Sequence, residues 1–392
     1  MDLWYGFACH GLDFLCKGGV LCFIAQNNWT TSAGAKKMRN KVICDSKILQ
    51  LIDFNTYMVF ENADIQTMIM LFERNSHIDN YVFDYRVITN GNEKQDMTAL
   101  LSKEERNTKY LRPRISRIKL QNSLLTFSSD EHILDRLSNN KTYFENCEIG
   151  QGIVPALDDF FILDDLSSYN DSELEYIKPF YTGIKDRYTS YPLEKYLIYM
   201  SAKNFSSNTL EDYPNLNKHF EPHKKVLAES KIKYGTPNKP YFFVHRERDE
   251  NFFIRGNEKI ITQVRCRYPM FYYTTDAFYG SRALFFIRTS RWNMKFILGI
   301  LNSKVVAYWL LKKGKQQGAL LKLDKEPLLN IPLPSIDSTM QLPIIDLVNK
   351  ILTAKQYNPL ADTSSLEHEI DKLVYDLYEL TDDEIKLIEQ AN

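Results

Sequence analysis

Three apolar runs of strand length lie within the first 75 residues: Val20-Leu21-Cys22-Phe23-Ile24-Ala25, Ile48-Leu49-Gln50-Leu51-Ile52-Asp53-Phe54 and Thr67-Met68-Ile69-Met70-Leu71-Phe72. The first run is continuous rather than alternating, which predicts a strand buried on both faces and hence an α/β layer. A short helix ending at Leu12 to Cys16 and the turn Lys17-Gly18-Gly19 lead into it. After the loop Gln26-Asn27-Asn28-Trp29, Thr31 or Ser32 can cap a helix carrying Lys36, Lys37, Arg39 and Lys41. These are the ingredients of the second half of a nucleotide-type sheet. The first half, with its cofactor-holding turn, is not among them. Whether an apolar edge at Val20 to Ile24 needs a partner separates a divided α/β domain from a residual one, and the first 75 residues are expected to be poorly stable alone.

With 392 residues, two or three domains are expected, and 44% apolar with 13% aromatic residues suffices for packed cores. No apolar run approaches the ~20 residues that span a bilayer, and Asp2 and His10 interrupt any signal-like N-terminus. A soluble, cytoplasmic chain without a membrane partner is the expectation. Cys9, Cys16, Cys22, Cys44, Cys147 and Cys266 include no Cys-x-x-Cys pair and no histidine at ligand spacing, so no metal site is expected. The four cysteines of the first domain are read as small buried hydrophobes.

The net charge of −1 says nothing about partners, but its distribution does. Lys259 to Lys325 holds 13 Lys and Arg against Asp276 and Asp324, whereas Glu326 to Asn392 holds 4 basic and 13 acidic residues. Within the basic stretch, Arg265, Arg267, Arg282, Arg288 and Arg291 are interleaved with Tyr268, Phe271, Tyr272, Tyr273, Phe278, Tyr279 and Trp292. Arginines among aromatics on strands suit phosphate contact and forked recognition of base edges. A solvated basic face over an aromatic core would give the same pattern.

These shifts divide the chain into 1–75, a partial α/β domain; 76–146, a connector; 147–335, a mainly β or α+β unit; and 336–392, a helical tail. The connector contains a turn at Asn90-Gly91-Asn92, helix-like stretches around Met97 to Glu105 and Glu131 to Leu137, and the basic cluster Arg112-Pro113-Arg114-Ile115-Ser116-Arg117, either solvated or a phosphate clamp. Gly150 and Gly152 lack the third glycine of a dinucleotide fingerprint and read as a turn into a hairpin. Strands are expected at Phe160 to Leu163, Tyr196 to Met200, Lys224 to Ala228, Tyr241 to Val244, Lys259 to Arg265, Phe271 to Thr274 and Ala283 to Ile287. Asn293 to Leu311 has the spacing of one amphipathic helix. A basic loop, Lys312 to Gly318, follows it, either contacting nucleic acid or ending the helix. In the tail, Thr381 and Glu384 form a capping box.

The run from Gly18 to Asn28, with Lys37-Met38-Arg39, Ile52-Asp53-Phe54, Val59-Phe60-Glu61-Asn62-Ala63 and Thr67 to Leu71, resembles the later catalytic-domain motifs of adenine-specific DNA methyltransferases of the TaqI-like and type IIG restriction-modification group. Tyr176 to Gly183, Leu298 to Lys304, Leu329 to Pro334 and Glu369 to Leu380 look like that family's specificity domain and C-terminal segment, in collinear order. The resemblance implies an incomplete Rossmann-like methyltransferase sheet followed by a target-recognition domain that binds double-stranded DNA, with S-adenosylmethionine as methyl donor. The family's glycine-rich turn, its acidic cofactor residue and its Asn-Pro-Pro-Tyr or Asp-Pro-Pro-Tyr loop would lie upstream, and no Pro-Pro pair occurs here. That loop accepts protons from a poorly nucleophilic amine and stacks on the extruded base. Methyl transfer by this chain alone is thus not expected, no catalytic residue is assigned within it, and an upstream chain is expected to supply the cofactor-binding half. The alternative is a stand-alone DNA-binding specificity protein or a truncated remnant.

Carried over by resemblance, Phe60 would lie against a flipped adenine, unless it tucks its loop onto the core or Tyr57 takes that place. The residues expected to contact DNA are Lys185, Arg265, Arg267, Arg282, Arg288, Lys313, Lys315 and Lys322. Glu229-Ser230-Lys231, with Asp212 upstream, has the Glu-x-Lys spacing of many nucleases, a match that arises often by chance.

Overall fold

The computed structural model describes residues 2–391 apart from 56, 61, 64, 76–78, 90, 118–124, 126, 128–130, 140, 190–192, 194, 208 and 318–319, and gives only the backbone of 33, 131 and 315–317. The chain forms two compact units, Met1–Lys141 with Tyr308–Pro332, and Thr142–Ala307 with Leu333–Asn392. Of the turn expected at Asn90-Gly91-Asn92, Asn90 lies outside the described residues.

In the first unit, α1 (Leu3–Phe14) leads through Gly18, in the left-handed region at φ 83°, into β1 (Val20–Gln26). Helix α2 (Lys36–Asp45) then precedes β2 (Ser46–Asp53) and β3 (Thr67–Arg74). The five-stranded sheet runs in the order β1, β3, β2, Asp84–Ile88, Thr108–Leu111. Strand β3 is antiparallel to both β1 and β2, so these two point the same way with β3, the last of the three in sequence, wedged between them. Trp29, Met38, Ile48, Leu51, Met70 and Phe72 are buried around this trio.

Strand β1 differs from expectation. Among the described residues it pairs only with β3, and its residues alternate, with Val20, Cys22 and Ile24 exposed. Leu21 instead faces α1, where a Cβ on Gly11 would lie 3.0 Å from its Cδ1. A continuous apolar run looks the same whether one face or both are covered, and here one face is open. Cys22 on that face and Cys16 in the preceding turn are exposed, and of the six cysteines only Cys266 is buried. The cap expected of Thr31 or Ser32 is also absent. A 3-10 turn at Ala33–Ala35 intervenes, and α2 begins at Lys36 without a side-chain cap. Buried Arg39 instead reaches back to the carbonyls of Trp29 at 2.8 Å and Ser32 at 2.5 Å. Arg117 is likewise buried, donating to Ser46 O at 3.0 Å and to Asn75 O, while Arg114–Ser116 pairs with Asn80–Val82.

The second unit contains two four-stranded sheets. One orders Ile162–Leu163, Lys195–Ile198, Ile177–Tyr181, Tyr279–Gly280; the other orders Tyr272–Thr274, Lys259–Gln263, Leu284–Ile287, Ile149–Gln151. Their shared core is aromatic, with Tyr181 stacked on Phe278 at 3.9 Å and Phe253 edge-on to Phe286 at 4.9 Å. Two expected strands are something else, and a third is strand only in its second half. Lys224–Lys233 is a helix, as its Lys, Leu, Ala and Glu content favours. Asp158–Phe161 forms a single helical turn before the strand, and Phe242 to Val244 are buried in a turn.

The helix expected over Asn293 to Leu311 is two, Met294–Asn302 and Lys304–Lys313. Ser303 between them is extended (φ −70°, ψ 155°), and the second helix's first N–H is taken by Asp371 Oδ1 at 2.8 Å. Three tail helices follow: Ser338–Tyr357, Ser364–Leu377 and Asp382–Ala391. Gly299 lets the first of them approach closely, since a Cβ there would sit 2.5 Å from Ile344 Cγ2. The capping box holds, with Thr381 N donating to Glu384 Oε2 at 2.9 Å.

Candidate functional site

In the first unit the C-terminal ends of β1 and β2 converge, because they are parallel, on a polar cavity of about 200 Å³ lined by Asn27, Asp53, Asn55, Gln66, Tyr85 and Phe127 among others. This end of an α/β sheet is where ligands gather. Asp53 organises it: Oδ1 accepts from Asn27 Nδ2 and from Asn55 N, each at 2.9 Å, and the Tyr85 hydroxyl lies 3.5 Å from Oδ2. Burial first, then Asp53, raises the Tyr85 pKa well above its usual value, so the phenol stays protonated. Asn55 adopts a left-handed conformation (φ 49°), which asparagine tolerates, and donates to Ile88 O at 2.9 Å. Asn27 Oδ1 is buried without a hydrogen-bond partner. Carboxamides, one carboxylate and a phenol can hydrogen-bond a polar ring or backbone. They hold no activated nucleophile.

The loop between β2 and β3 carries Phe60, a residue 43% exposed. Tyr57 and Val59 pack instead against the small core of Ile52, Phe54, Ile88 and Leu100. Thus two side chains anchor the loop and Phe60 stands clear of them. Its neighbour Glu61 lies outside the described residues.

The basic residues singled out in the sequence fall in both units. Lys185, Arg265, Arg267 and Arg282 are exposed in the second. Arg288 there is engaged, donating to Asn251 O at 2.7 Å and Glu258 O at 3.2 Å. Arg291 is bound to Glu148 and to Tyr143 O, and hydrogen bonds from Arg291 hold the Glu148 carboxyl below its usual range despite burial. In the first unit Lys313 lies over the Trp309 ring at 5.4 Å, and Lys322 pairs with Asp324 at 2.9 Å. The side chain of Lys315 lies outside the described residues.

Glu229-Ser230-Lys231 does not form a nuclease site. Lys231 is buried, 1% exposed, and its ammonium donates to Phe243 O beside the Phe161 ring. A second cavity, about 310 Å³, lies where Arg187, Tyr268 and Asn302 meet the tail helix Ser364–Leu377 of this unit. There Arg187 pairs with Glu367 at 3.1 Å and lies over Tyr268 at 5.5 Å, a joint that fixes the tail. Sequence reasoning missed the Asn27, Asp53, Asn55 and Tyr85 cluster, whose only signal was polar residues directly following apolar runs.

Residues 1–60 match the Eco57I restriction-modification methylase family, and residues 177–333 match the TaqI-like C-terminal specificity domain. The chain is 25% identical to the type II methyltransferase M.HindII of Haemophilus influenzae over 92% of its own length and 73% of that protein's. It is 23% identical to the type II methyltransferase M.BstVI of Geobacillus stearothermophilus over 100% and 69%. Among solved structures, the type IIL restriction-modification enzyme MmeI, determined in complex with DNA, superposes with a TM-score of 0.59 at 13% identity. That match covers 98% of this chain and 50% of MmeI, so the chain spans half the length of that enzyme. A methylase segment followed in order by a specificity segment, with type II methyltransferases as relatives, supports a restriction-modification methyltransferase with a TaqI-like specificity domain.

Proposed function

We propose that this chain is the DNA-recognising, C-terminal part of an adenine-specific methyltransferase of a restriction-modification system. It transfers methyl groups only together with a second polypeptide that supplies the cofactor-binding half. The observation that carries this reading is the open margin of the first unit. Strand β1 ends the sheet with Val20, Cys22 and Ile24 exposed, while α1 exposes Leu3 at 80%, Phe7 at 62% and Phe14 at 87%. Apolar side chains left bare on the open face of an edge strand and on the outer face of its adjoining helix are what missing neighbours leave uncovered.

The residues present do not fit S-adenosylmethionine. Among the described residues, the turn after β1 is Gln26-Asn27-Asn28-Trp29 rather than glycine-rich, and the cavity of about 200 Å³ beside it is lined by four carboxamides together with Asp53, Tyr85 and Lys312 among others. Sites for cofactor-sized ligands run to ~300–1,000 Å³. The cofactor therefore belongs to the proposed partner. In that complex Phe60 would stand against the extruded adenine, where stacking on an aromatic ring is worth ~1–3 kcal/mol.

The test is co-expression with the reading frame directly upstream of the Met1 codon, followed by transfer of labelled methyl from S-adenosylmethionine to duplex DNA. The pair should methylate adenine and the chain alone should not. Methylation by the chain alone would overturn the proposal. Site-specific DNA binding with no methyl transfer in any combination would instead make the chain a stand-alone specificity protein.

A further inference from the structure

At one margin of the second unit three backbone segments run side by side. Ile153 N donates to Gly280 O at 2.8 Å, while Val154 and Arg246 exchange backbone hydrogen bonds at 3.0 and 3.3 Å. The segment at 153–154 is thus the middle one. Two interstrand spacings put the flanking backbones about 10 Å apart. Glycine makes this junction possible, because a Cβ on Gly152 would sit 2.0 Å from Ser281 O and 2.4 Å from Gly280 O.

Four polar side chains gather on this ribbon. Arg248 is in the left-handed region at φ 72°, a conformation that long side chains rarely adopt and that marks functional sites more often than ordinary loops. Its Nε donates to Gly152 O and its Nη2 to Gln151 Oε1, each at 3.2 Å. The same carboxamide turns its Nε2 to Arg282 O at 3.0 Å, so Gln151 ties Arg248 to the turn that carries Arg282. Arg246 and Arg282 are exposed, and among the described residues neither has a carboxylate within salt-bridge distance. Glu247, between Arg246 and Arg248, is taken by Lys239 at 2.8 Å. Burial and then the charge of Arg246 hold the Arg248 pKa below its usual value. Asp249 and Glu250 follow on the same segment, so what distinguishes Arg246 and Arg282 is that neither is tied up in an ion pair among the described residues.

We propose that Arg246 and Arg282 are specificity-determining residues that read base edges in the major groove, guanine above all, with Arg248 and Gln151 as positioning residues. This deepens the reading above and rests on it. Phosphate attraction needs only charge near the backbone, and flexible surface lysines supply that. A forked contact to guanine O6 and N7 needs a guanidinium launched from fixed backbone, and a narrow β-ribbon is an element the major groove admits. Backbones about 10 Å apart would address bases roughly three steps apart at ~3.4 Å per step.

The test selects the full-length chain against a duplex library with a randomised core and sequences what is bound. Wild type should enrich one site containing guanines. Arg246→Ala and Arg282→Ala, both at exposed positions, should each erase the guanine preference at one position, a different one for each. They should leave the rest of the motif intact and weaken the best site about tenfold to a hundredfold. Arg246→Lys keeps the charge but not the fork and should lose the same preference. Gln151→Ala should relax the motif at the Arg282 position while binding to unrelated duplex is retained. Variants that reproduce the wild-type motif while weakening all sequences equally would overturn the assignment and make these residues phosphate contacts. A wild-type chain that enriches no site would overturn the DNA-recognition reading itself.

Discussion

Replacing Lys231 by methionine should change how stability depends on pH more than it changes stability at neutrality. Burial, reinforced by the charge of Lys239, lowers the Lys231 pKa to about 8 from the 10.5 of a free lysine. The folded chain therefore releases this proton first as pH rises. Below pH ~8 both states carry the charge and the folded state bears the full burial penalty, about 3 kcal/mol at ~1.4 kcal/mol per pH unit. Above pH 8 the unfolded chain binds more protons, so this group makes stability rise. Between pH 7 and pH 9 it should add about 1.3 kcal/mol.

Lys231→Met removes that gain. At pH 7 it also relieves the penalty, but it leaves the buried Phe243 carbonyl without its donor, a loss of ~1–3 kcal/mol. The two effects nearly cancel there. Tyr199 and Cys266, whose pKa values burial raises, destabilise the fold as pH climbs, so only the difference between variant and wild type isolates the lysine. Urea unfolding of both proteins at pH 7, 8 and 9 measures it. The difference should shift by about 1.3 kcal/mol in favour of wild type across that range. A constant difference would show that Lys231 is not held in a charge-disfavouring environment.

Gly152→Ala, driving a Cβ against two carbonyl oxygens, should cost about 1–3 kcal/mol in urea unfolding, and an unchanged midpoint would mean that the 150–154 and 280–282 segments can separate freely. Phe60→Ala should leave unfolding within ~0.5 kcal/mol of wild type because the ring is exposed, yet slow methyl transfer by the reconstituted pair; equal rates would remove Phe60 from the base-binding wall. The double substitution Leu3→Ser and Phe14→Ser should raise solubility of the isolated chain and abolish capture of the upstream polypeptide. Capture at wild-type strength would place the seam elsewhere.

Strand positions in the first unit were legible because apolar runs bounded by turn residues leave few alternatives. Burial on the second face of β1 was not, since that depends on what lies beside it. Lys224 to Ala228 reads as a strand because Val226 and Leu227 beside two lysines mimic one over five residues, while the helical identity of Lys224–Lys233 emerges over ten. The break at Ser303 was invisible because apolar spacing continues through it and the residue that caps the second helix, Asp371, lies 67 positions downstream. The candidate sites failed to read for the same reason. Asp53 meets Tyr85 across 32 positions and Gln151 meets Arg248 across 97, and no local pattern encodes a meeting of that kind. Charge segregation did point to Arg282, but it gave equal weight to Arg288, whose guanidinium is occupied by backbone carbonyls.

The glycine junction at Gly152 separates two things that a fold usually couples. Its carbonyl contacts and the Gln151 bridge set the backbone path, whereas Arg246 and Arg282 project from that path into solvent. Exchanging an exposed side chain costs little stability, usually within ~0.5 kcal/mol. Positions 246 and 282 can therefore drift through many residue types while the scaffold stays above its folding threshold. A lineage under pressure to change what its ribbon meets could do so in single steps, each viable as a folded protein.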